Sequence, residues 1–576
     1  MSSDGDILAF QNSTEDNLDS AQTVLFNQKK WSCITDSTSN SGSFGSGQIQ
    51  FDLSSLSSQS QWLSLNEAVI EFPVKIVATT AGVTSGVVTG NIHSAIIKNG
   101  WHQWISSAQL MINGQTIQAS QPYENVATQW RILSSWSQDE LVKQGPTCGF
   151  ALDDMTNSLA VNTTAAPASA KLAPASGLAN ATYATFMTAP KGFDSLNDAS
   201  GNPSALLTNK GAIERALLTN NSVVSTTLQA TVLTPTNMKV AGRSHVAGAA
   251  SSGTGTQTVL SAFYMATVRL KDICDLREFP LTKNLRGYLY LNFNSATINY
   301  NCNAGTVSAL SMAINSGQTC PFLINAQDGA LAAGIESGLA ASAHANPITF
   351  VGSVDGTATS AISPSGPLLT NARLVVPYYV ANPMADAALS QSNKFFTTLD
   401  KLQFTFDVAA GATQNITITS GVSNPKRIVM LPLLKKLGGM TTMTAPEQSP
   451  FDPAPATSGP FATMNNLQVQ VANQTVYQSP IQYDYEQFLQ EQSQVGESGN
   501  MSNESTSGLL SEQLWVQNHR FYTVDLGRRV DAEDGSSKSV QVSYANANAF
   551  DHHVIGHLYF ERRWVMDTST CTVSPL

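Results

Sequence analysis

The 576-residue sequence has little charge. Asp, Glu, Lys and Arg make up only 12% of it, roughly half the usual share for a soluble domain. Ser, Thr, Asn, Gln, Ala and Gly take their place. A surface with few ions to desolvate favours extended contact with other protein. Secreted β-rich proteins share this bias, so composition alone does not decide the function.

Runs of basic residues and long apolar runs are also missing. The net charge is −11, and the first residues, MSSDGDILAFQNSTEDNLDS, are acidic. A nucleic-acid-binding arm needs Lys and Arg to neutralise phosphates. A secretory signal needs a basic region followed by an apolar one, and a membrane-spanning helix needs a longer apolar run. We therefore expect none of these three elements.

The cysteines form no Cys-x-x-Cys pair, although zinc sites usually bring their ligands in close pairs. We expect free, mostly buried thiols in a reducing compartment. The six cysteines are Cys33, Cys148, Cys274, Cys302, Cys320 and Cys571.

Catalytic motifs are absent as well: we find no GxSxG, no HExxH and no Gly-Lys-Ser/Thr phosphate loop. The glycine-rich GSFGSG (42–47) lacks the lysine and the following helix, so we interpret it as a flexible turn. DAEDG (531–535) lacks the later acid of a calcium loop and is better explained as a solvated turn. We predict that the protein is not an enzyme, and we assign no catalytic, cofactor-binding or metal-binding residue.

The sequence DHHVIGH (551–557) is the best candidate for a metal site. On a strand, His553, Ile555 and His557 share one face and His552 lies on the other. No third ligand is evident nearby, and interface or partly buried histidines are the simpler interpretation.

The aromatic sequence WHQW (101–104) leaves two interpretations open. Trp101 and Trp104, with Trp136, resemble the aromatic lining of a sugar groove, but core aromatics are the simpler explanation.

Strand-like segments dominate the rest of the chain. Pro73 interrupts one of them, which indicates a bulge or an edge strand there. Val126, Trp130 and Leu133 have helical spacing within 123–142. The Ala- and Ser-rich ranges 151–260 and 301–370 are interpreted as long loops laid over a rigid sandwich. The principal predicted strands are 47–56, 65–79, 261–270, 285–294, 372–380, 401–408, 415–419, 426–434 and 553–566.

Two distant stretches repeat one pattern. LMINGQTIQASQPYENV (110–126) predicts a hairpin, since Asn113-Gly114 suits the two positive φ angles of a type I′ turn. VQVANQTVYQSPIQYDY (469–485) has the same order of alternating residues, turn and tyrosine. In both halves a helical segment follows, and then three strand-like segments in the same order.

This colinearity predicts a duplicated domain. We expect an all-β fold of two tandem eight-stranded antiparallel jelly rolls, with short helices and long loop insertions. The expected domains are an N-terminal extension (1–45), a first jelly roll (46–385) and a second jelly roll (386–576).

Several stretches resemble double jelly-roll major capsid proteins of the PRD1–adenovirus lineage, and most of all those of polinton-like viruses and virophages. They are GSFGSGQIQFDLSSLSSQSQWLSLNEAVIEFPVKI, KNGWHQWISSAQLMINGQTIQASQPYENVATQWRILSSWSQDE, VRLKDICDLREFPLTKNLRGYLYLNFN, ARLVVPYYVANP and SNPKRIVMLPLL. The resemblance covers most of residues 30 to 440 and specifies no active site.

The resemblance implies a major capsid protein that forms pseudo-hexameric homotrimers in an icosahedral shell around double-stranded DNA. The implied partners are neighbouring capsomers, penton proteins and minor capsid proteins, with weak or indirect contact to the DNA, and the implied location is the virion. Two alternatives remain open: a single jelly-roll capsid protein of a small single-stranded DNA virus, and a carbohydrate-binding β-sandwich protein.

Overall fold

The structure is a computed structural model. It describes residues 25–37, 44, 47–56, 61–83, 87–88, 95–153, 211, 215, 239–240, 244–248, 251–252, 255–276, 279–303, 306–324, 348–357, 371–390, 393–435, 444–450, 453–458, 462–494, 508–527, 536–548, 550–567 and 572–576.

Eighteen strands precede residue 382 in the described part of the chain. They are β1 (Phe26–Thr35), β2 (Gln48–Asp52), β3 (Trp62–Leu63), β4 (Val69–Val83), β5 (Val87–Val88), β6 (Ala95–Ile97), β7 (Ile105–Ile112), β8 (Gln115–Gln118), β9 (Lys239–Val240), β10 (Ser244–Gly248), β11 (Ser251–Ser252), β12 (Gly255–Arg269), β13 (Gly287–Phe293), β14 (Ala296–Asn303), β15 (Thr306–Ile314), β16 (Phe322–Ile324), β17 (Ile348–Ser353) and β18 (Arg373–Ala381).

Nine further strands follow. They are β19 (Lys394–Val408), β20 (Thr413–Val422), β21 (Pro425–Lys435), β22 (Asn465–Val471), β23 (Gln474–Thr475), β24 (Tyr522–Asp525), β25 (Lys538–Ala545), β26 (Asp551–Asp567) and β27 (Thr572–Pro575). The described α-helices are α1 (Glu124–Ser135), α2 (Gln138–Gln144), α3 (Leu270–Ile273), α4 (Pro383–Leu389), α5 (Tyr485–Gln494) and α6 (Glu512–Gln517).

The strands form two sandwiches with the same topology. In the first sandwich, one sheet contains the order β1-β18-β4-β12 and the other is β2-β13-β7-β8. In the second sandwich the sheets are β19-β26-β21-β24 and β20-β25-β22-β23. The eight strands of the first sandwich are, in chain order, β1, β2, β4, β7, β8, β12, β13 and β18, and those of the second are β19 to β26. When each set is numbered from one to eight, both sandwiches have the sheet orders 1-8-3-6 and 2-7-4-5. Every pairing is antiparallel. The predicted fold class, a double jelly roll, is confirmed.

The repeated hairpin occupies the same place in each sandwich. Ile112 pairs with Gln115, and Val471 pairs with Gln474. The first turn has φ angles of 48° at Asn113 and 81° at Gly114. The second turn has positive φ values as well, 50° at Ala472 and 66° at Asn473. A helix follows each hairpin, α1 in the first sandwich and α5 in the second. The other paired segments of the repeat fall on equivalent strands: β12 and β24, β13 and β25, β18 and β26.

The range 301–370 differs from the expected loop. Its described residues include the strands β15, β16 and β17, and β14 runs into it. β17 pairs with both β4 and β14, and β14 pairs with β15, so this insertion widens one sheet of the first sandwich. In the range 151–260 the described residues include β9, β10 and β11. These strands were not predicted because small residues such as Ala, Ser and Thr show no clear alternation of apolar and polar side chains. The widened sheet nevertheless supplies hydrogen-bond partners for their backbone.

β1 lies inside the segment expected to be an N-terminal extension. It pairs along its whole length with β18, so the first sandwich begins within residues 1–45. β1 is an edge strand whose side chains, including Lys29 and Lys30, are mostly exposed. Lysines are common on edge strands, where they discourage pairing with other chains, and they obscure the apolar alternation that marks a strand.

Pro73 does not produce the expected bulge or edge. It lies within β4, which has partners on both sides, and it faces Met265 of β12 in regular register. On the other side, β18 pairs with residues 69–71 and β17 with residues 75–80. Pro73 therefore lies in the gap between the segment of β4 that pairs with β18 and the segment that pairs with β17. Its missing N–H costs no hydrogen bond of either ladder.

Candidate functional site at the junction of the two sandwiches

The described residues contain no catalytic constellation. No group of three or more His, Cys, Asp or Glu side chains among them could hold a metal ion. None of the helices in the described part of the chain is long and apolar enough to cross a membrane. The most elaborate arrangement of buried polar groups is instead the contact between the two sandwiches, which we call the junction.

The apolar part of the junction is α1. Val126, Trp130 and Leu133 belong to the hydrophobic cluster of the second sandwich, although their helix belongs to the first. The rings of Trp130 and Tyr559 lie 5.4 Å apart. The Arg427 guanidinium lies 5.1 Å from the Trp130 ring and 5.5 Å from the Tyr559 ring. The helix thus packs on the outer face of the sheet that contains β26, as its apolar spacing requires.

The polar part of the junction begins with an ion pair. Lys401 of β19 contacts Glu124 of α1, with side-chain exposures of 2% and 0%. Burial raises the pKa of Glu124, while Lys401 and Arg131 act in the opposite direction. The Thr128 hydroxyl also donates to Glu124. A buried carboxylate with a buried ammonium partner fixes the orientation of α1 against β19, because either charge alone would be costly.

A second contact holds residues 446–450 and 453–458, which follow β21, against the first sandwich. The buried Lys98 ammonium donates to three backbone carbonyls, of Glu447 (3.2 Å), Ser449 (2.8 Å) and Ala454 (2.8 Å). The Cys320 amide donates to the carbonyl of Glu447 at 3.0 Å. These bonds satisfy carbonyls that no sheet would pair, which is required of buried backbone.

Arg215 and Asp153 form a third contact. Both side chains are buried, and Nη2 lies 2.5 Å from Oδ1. Arg215 also donates to the Ala151 carbonyl at 2.6 Å. The Thr457 hydroxyl donates to the other Asp153 oxygen at 2.6 Å, and Asn518 donates to the Asp153 backbone carbonyl. Burial acts to raise the pKa of Asp153, but Arg215 and Thr457 outweigh it and the pKa is lowered.

The histidine-rich strand contributes to this junction. His553 and His557 lie on the outer face of β26, as predicted, and His552 points into the second sandwich. His552 contacts the Tyr544 hydroxyl at 3.3 Å, and burial lowers its pKa to about 4. His553 pairs with Asp407 at 2.6 Å and with Glu447 at 3.3 Å. Although burial opposes it, these two carboxylates raise the pKa of His553.

WHQW is a buried segment. Trp101, Trp104 and the separate Trp136 are 4%, 0% and 1% exposed, so none can line a sugar groove. His102 hydrogen-bonds to Gln129 of α1 at 2.5 Å, and burial lowers the pKa of His102 to about 4.

Other candidates are only partly covered by the described residues. DAEDG (531–535) lies outside them, and only Phe44 and Gly47 of GSFGSG are described. Three of the four described free thiols are buried as expected, Cys148, Cys274 and Cys320, while Cys33 is exposed.

The junction itself is what sequence reasoning missed. Its contacts join residues such as Lys98 and Ala454, 356 positions apart, and no local spacing marks such a pair. One signal was available: a lysine between apolar residues (AIIKNGW) predicts a buried amine that needs several acceptors. Chemically, the arrangement binds one sandwich rigidly to the other.

No protein-family model and no curated protein matches the sequence. Several solved structures are similar to it at low identity. A chain from the cryo-EM structure of the Sputnik virophage is 13% identical, with a TM-score of 0.45, over 98% of this chain and 91% of that one. The Faustovirus major capsid protein is 9% identical, with a TM-score of 0.41, over 97% and 94%. The mavirus major capsid protein is 11% identical, with a TM-score of 0.39, over 98% and 93%. The likeness is one of fold, which in this chain is a double jelly roll.

Proposed function

We propose that this chain is a major capsid protein, a structural subunit of an icosahedral virion shell and not an enzyme. The observation that carries the proposal is the duplicated fold: two jelly rolls of one topology, fixed together by a buried junction. Jelly rolls are a recurrent building block of viral capsids. The sequence resemblance to double jelly-roll major capsid proteins supports the same role.

The proposed assembly unit is a homotrimer. Three chains place six similar sandwiches around a threefold axis, which gives a pseudo-hexagon that can tile a shell. Neighbouring capsomers, penton proteins and minor capsid proteins are the proposed partners, with the enclosed DNA contacted weakly or indirectly. The proposed domains are 1–45, 46–385 and 386–576, with β1 contributed to the first jelly roll from within the first range.

The surface suits such contacts. The chain is poor in charge, and several large apolar side chains of described residues are exposed, two of them close to the connection between the sandwiches. Met384 of α4 is 68% exposed, and Phe395 of β19 is 70% exposed. Exposed apolar side chains that are grouped often mark protein interfaces.

Mass photometry and negative-stain microscopy of the purified full chain test the proposal. We expect stable trimers with a hexagonal outline on the order of 70–90 Å across, from the size of six ordinary sandwich domains. A clean monomer at micromolar concentration would count against the proposed shell role. The variant Phe395→Ser tests whether this exposed side chain takes part in assembly, and Val142→Ser, which changes an apolar side chain 72% exposed on α2, serves as its control.

The two alternative functions have lost their main support. A single jelly-roll capsid protein requires the repeat to be accidental, but the second set of eight strands has the topology of the first. A sugar groove requires Trp101, Trp104 and Trp136 at the surface, and all three are buried. A glycan array that showed submillimolar binding would revive the carbohydrate-binding alternative.

A further inference from the structure

His557 is buried among cations in the junction. Its side chain is 2% exposed, and its Nε2 atom has no hydrogen-bond partner among the described residues. Lys401 of β19 and Arg131 of α1 lie near it, and its ring hydrogen-bonds to the backbone of Pro122. Glu124 is already paired with Lys401. A proton on His557 would therefore add a third positive charge beside Lys401 and Arg131, whose neighbouring carboxylate Glu124 is already engaged.

His519 occupies a similar position at the other end of the junction. It is 1% exposed, and neither ring nitrogen hydrogen-bonds to another side chain among the described residues. Asp153 and Arg215 face it, together with the backbone of Ala456. Because Asp153 already neutralises Arg215, a charged His519 would again be the unbalanced cation.

We propose that the junction is an acid-sensitive latch: protonation of His519 and His557 at mildly acidic pH releases the two sandwiches from each other. The strands of each sandwich stay paired, and the contacts that α1, residues 446–450 and 453–458, and the Asp153–Arg215 pair make with the other sandwich are lost. The latch is a property of the single chain and does not depend on the proposed shell role, so the two can fail separately.

The titration of these groups sets the pH range. Burial, with Lys401 and Arg131, lowers the pKa of His557 to about 3. Burial lowers the pKa of His519 to about 4. An accessible histidine titrates near about 6.5. A lowered pKa means that the closed junction has its full stability above about 6.5 and loses it progressively as the pH falls below that value.

Two neighbouring groups, His553 and Glu124, stabilise the closed junction as the pH falls, which is opposite to the effect of His519 and His557. The pKa of His553 is raised, so its stabilising effect is complete below about 6.5 and is lost at higher pH. It therefore changes little between about 6.5 and 5. The pKa of Glu124 is also raised, so its protonation opposes opening as the pH falls through that pKa. The latch requires the two histidines with lowered pKa to outweigh Glu124 and, between pH 7.5 and about 6.5, His553 as well.

Hydrogen exchange measured by mass spectrometry at pH 7.5 and 5.5, corrected for the intrinsic pH dependence of exchange, tests the latch. We expect protection to fall at least tenfold in α1 and in residues 446–458 at the lower pH. Protection in β22 and β25, which lie in the sheet of the second sandwich away from α1, should not change. Equal protection of the junction at both pH values, or a uniform loss over the whole chain, would overturn the proposal.

The double variant His519→Gln/His557→Gln supplies the second arm, because glutamine is polar but does not titrate. It should remove most of the acid response of α1. His552→Gln is the control: His552 is also buried with a pKa of about 4, but it faces the inside of the second sandwich. A double variant with the full acid response of the wild type would refute the latch. If the double variant does not fold, the wild-type exchange measurement decides alone.

Discussion

Lys401 and Glu124 form a buried ion pair between the two sandwiches, although 277 positions separate them in the sequence. Glu124 keeps the donors Gln118 and Thr128 within its own sandwich, but its charged partner Lys401 comes from the other one. Opening the junction would therefore separate the two charges. The ion pair makes the relative position of the two jelly rolls a part of the closed folded state.

The ion pair can be tested by single and double replacement. Lys401→Met should lower the free energy of unfolding by about 3–5 kcal/mol, because Glu124 is then buried without its partner. Glu124→Leu/Lys401→Met should recover most of this loss. Urea denaturation followed by tryptophan fluorescence measures both. Asp139→Asn is the control, since its pair with Lys143 is exposed and should contribute less than about 1 kcal/mol. Equal losses for the buried and the exposed pair would contradict this account.

Replacing Arg215 should destabilise the protein as much as replacing Lys401 does. Arg215→Met leaves Asp153 buried with only its hydroxyl donor, Thr457, and removes the donor to the Ala151 carbonyl. We expect a loss of about 3–5 kcal/mol in the free energy of unfolding. Arg563→Met removes a half-exposed side chain from Glu561, which keeps its second partner Lys426, and should stay within about 1 kcal/mol of the wild type. A tolerated Arg215→Met substitution would show that this contact is dispensable.

Substitutions in the two hairpin turns should change the stability of the protein in opposite directions. Gly114 has φ +81°, and a Cβ added there would meet no heavy atom within 4 Å, so Gly114→Ala should cost about 1 kcal/mol through backbone strain alone. Ala472 has φ 50°, so Ala472→Gly should relieve strain and stabilise by up to about 1 kcal/mol. Ala387→Gly in α4 should instead destabilise by about 0.5–1 kcal/mol. Thermal unfolding gives the sign of each change, and destabilisation by Ala472→Gly would contradict the turn assignment.

Gly287 lies close to the backbone of the neighbouring strand in the first sandwich. A Cβ at this position of β13 would lie 2.1 Å from the Met111 carbonyl oxygen. Gly287→Ala should therefore displace β13 from β7 and cost several kcal/mol, on the order of the largest single-residue effects. Gly421→Ala is the control, since a Cβ there meets nothing within 4 Å. Similar melting temperatures for the two variants would show that β13 and β7 can separate without penalty.

The sequence predicted the repeated parts of the fold well. The turn at Asn113-Gly114 and the alternation around it are local, and local signals need no knowledge of the partner strand. The edge strand β1 was missed because Lys29 and Lys30 hide its alternation. The position of Pro73 became clear only when the two neighbours of β4 were known.

The junction was beyond sequence reasoning for a different reason. His557 lies on the predicted face of its strand, but what faces it comes from α1 and β19, far earlier in the chain. Lys98 finds its three acceptors in residues 447 to 454, which no pattern connects to it. Contacts of this kind depend on how the two folded sandwiches pack against each other, and the spacing of residues within a short segment does not predict that packing.

The position of β26 has a consequence for synthesis. This strand is translated after the other seven strands of its sandwich, yet it lies between β19 and β21 and supplies the surface on which α1 packs. Until β26 has left the ribosome, the second sandwich lacks its central strand, and Trp130 has no ring of Tyr559 to cover it. Folding of this half therefore completes only after β26 has been translated, as expected for a topology dominated by non-local contacts. Chains that terminate before residue 551 should remain unable to join their two jelly rolls.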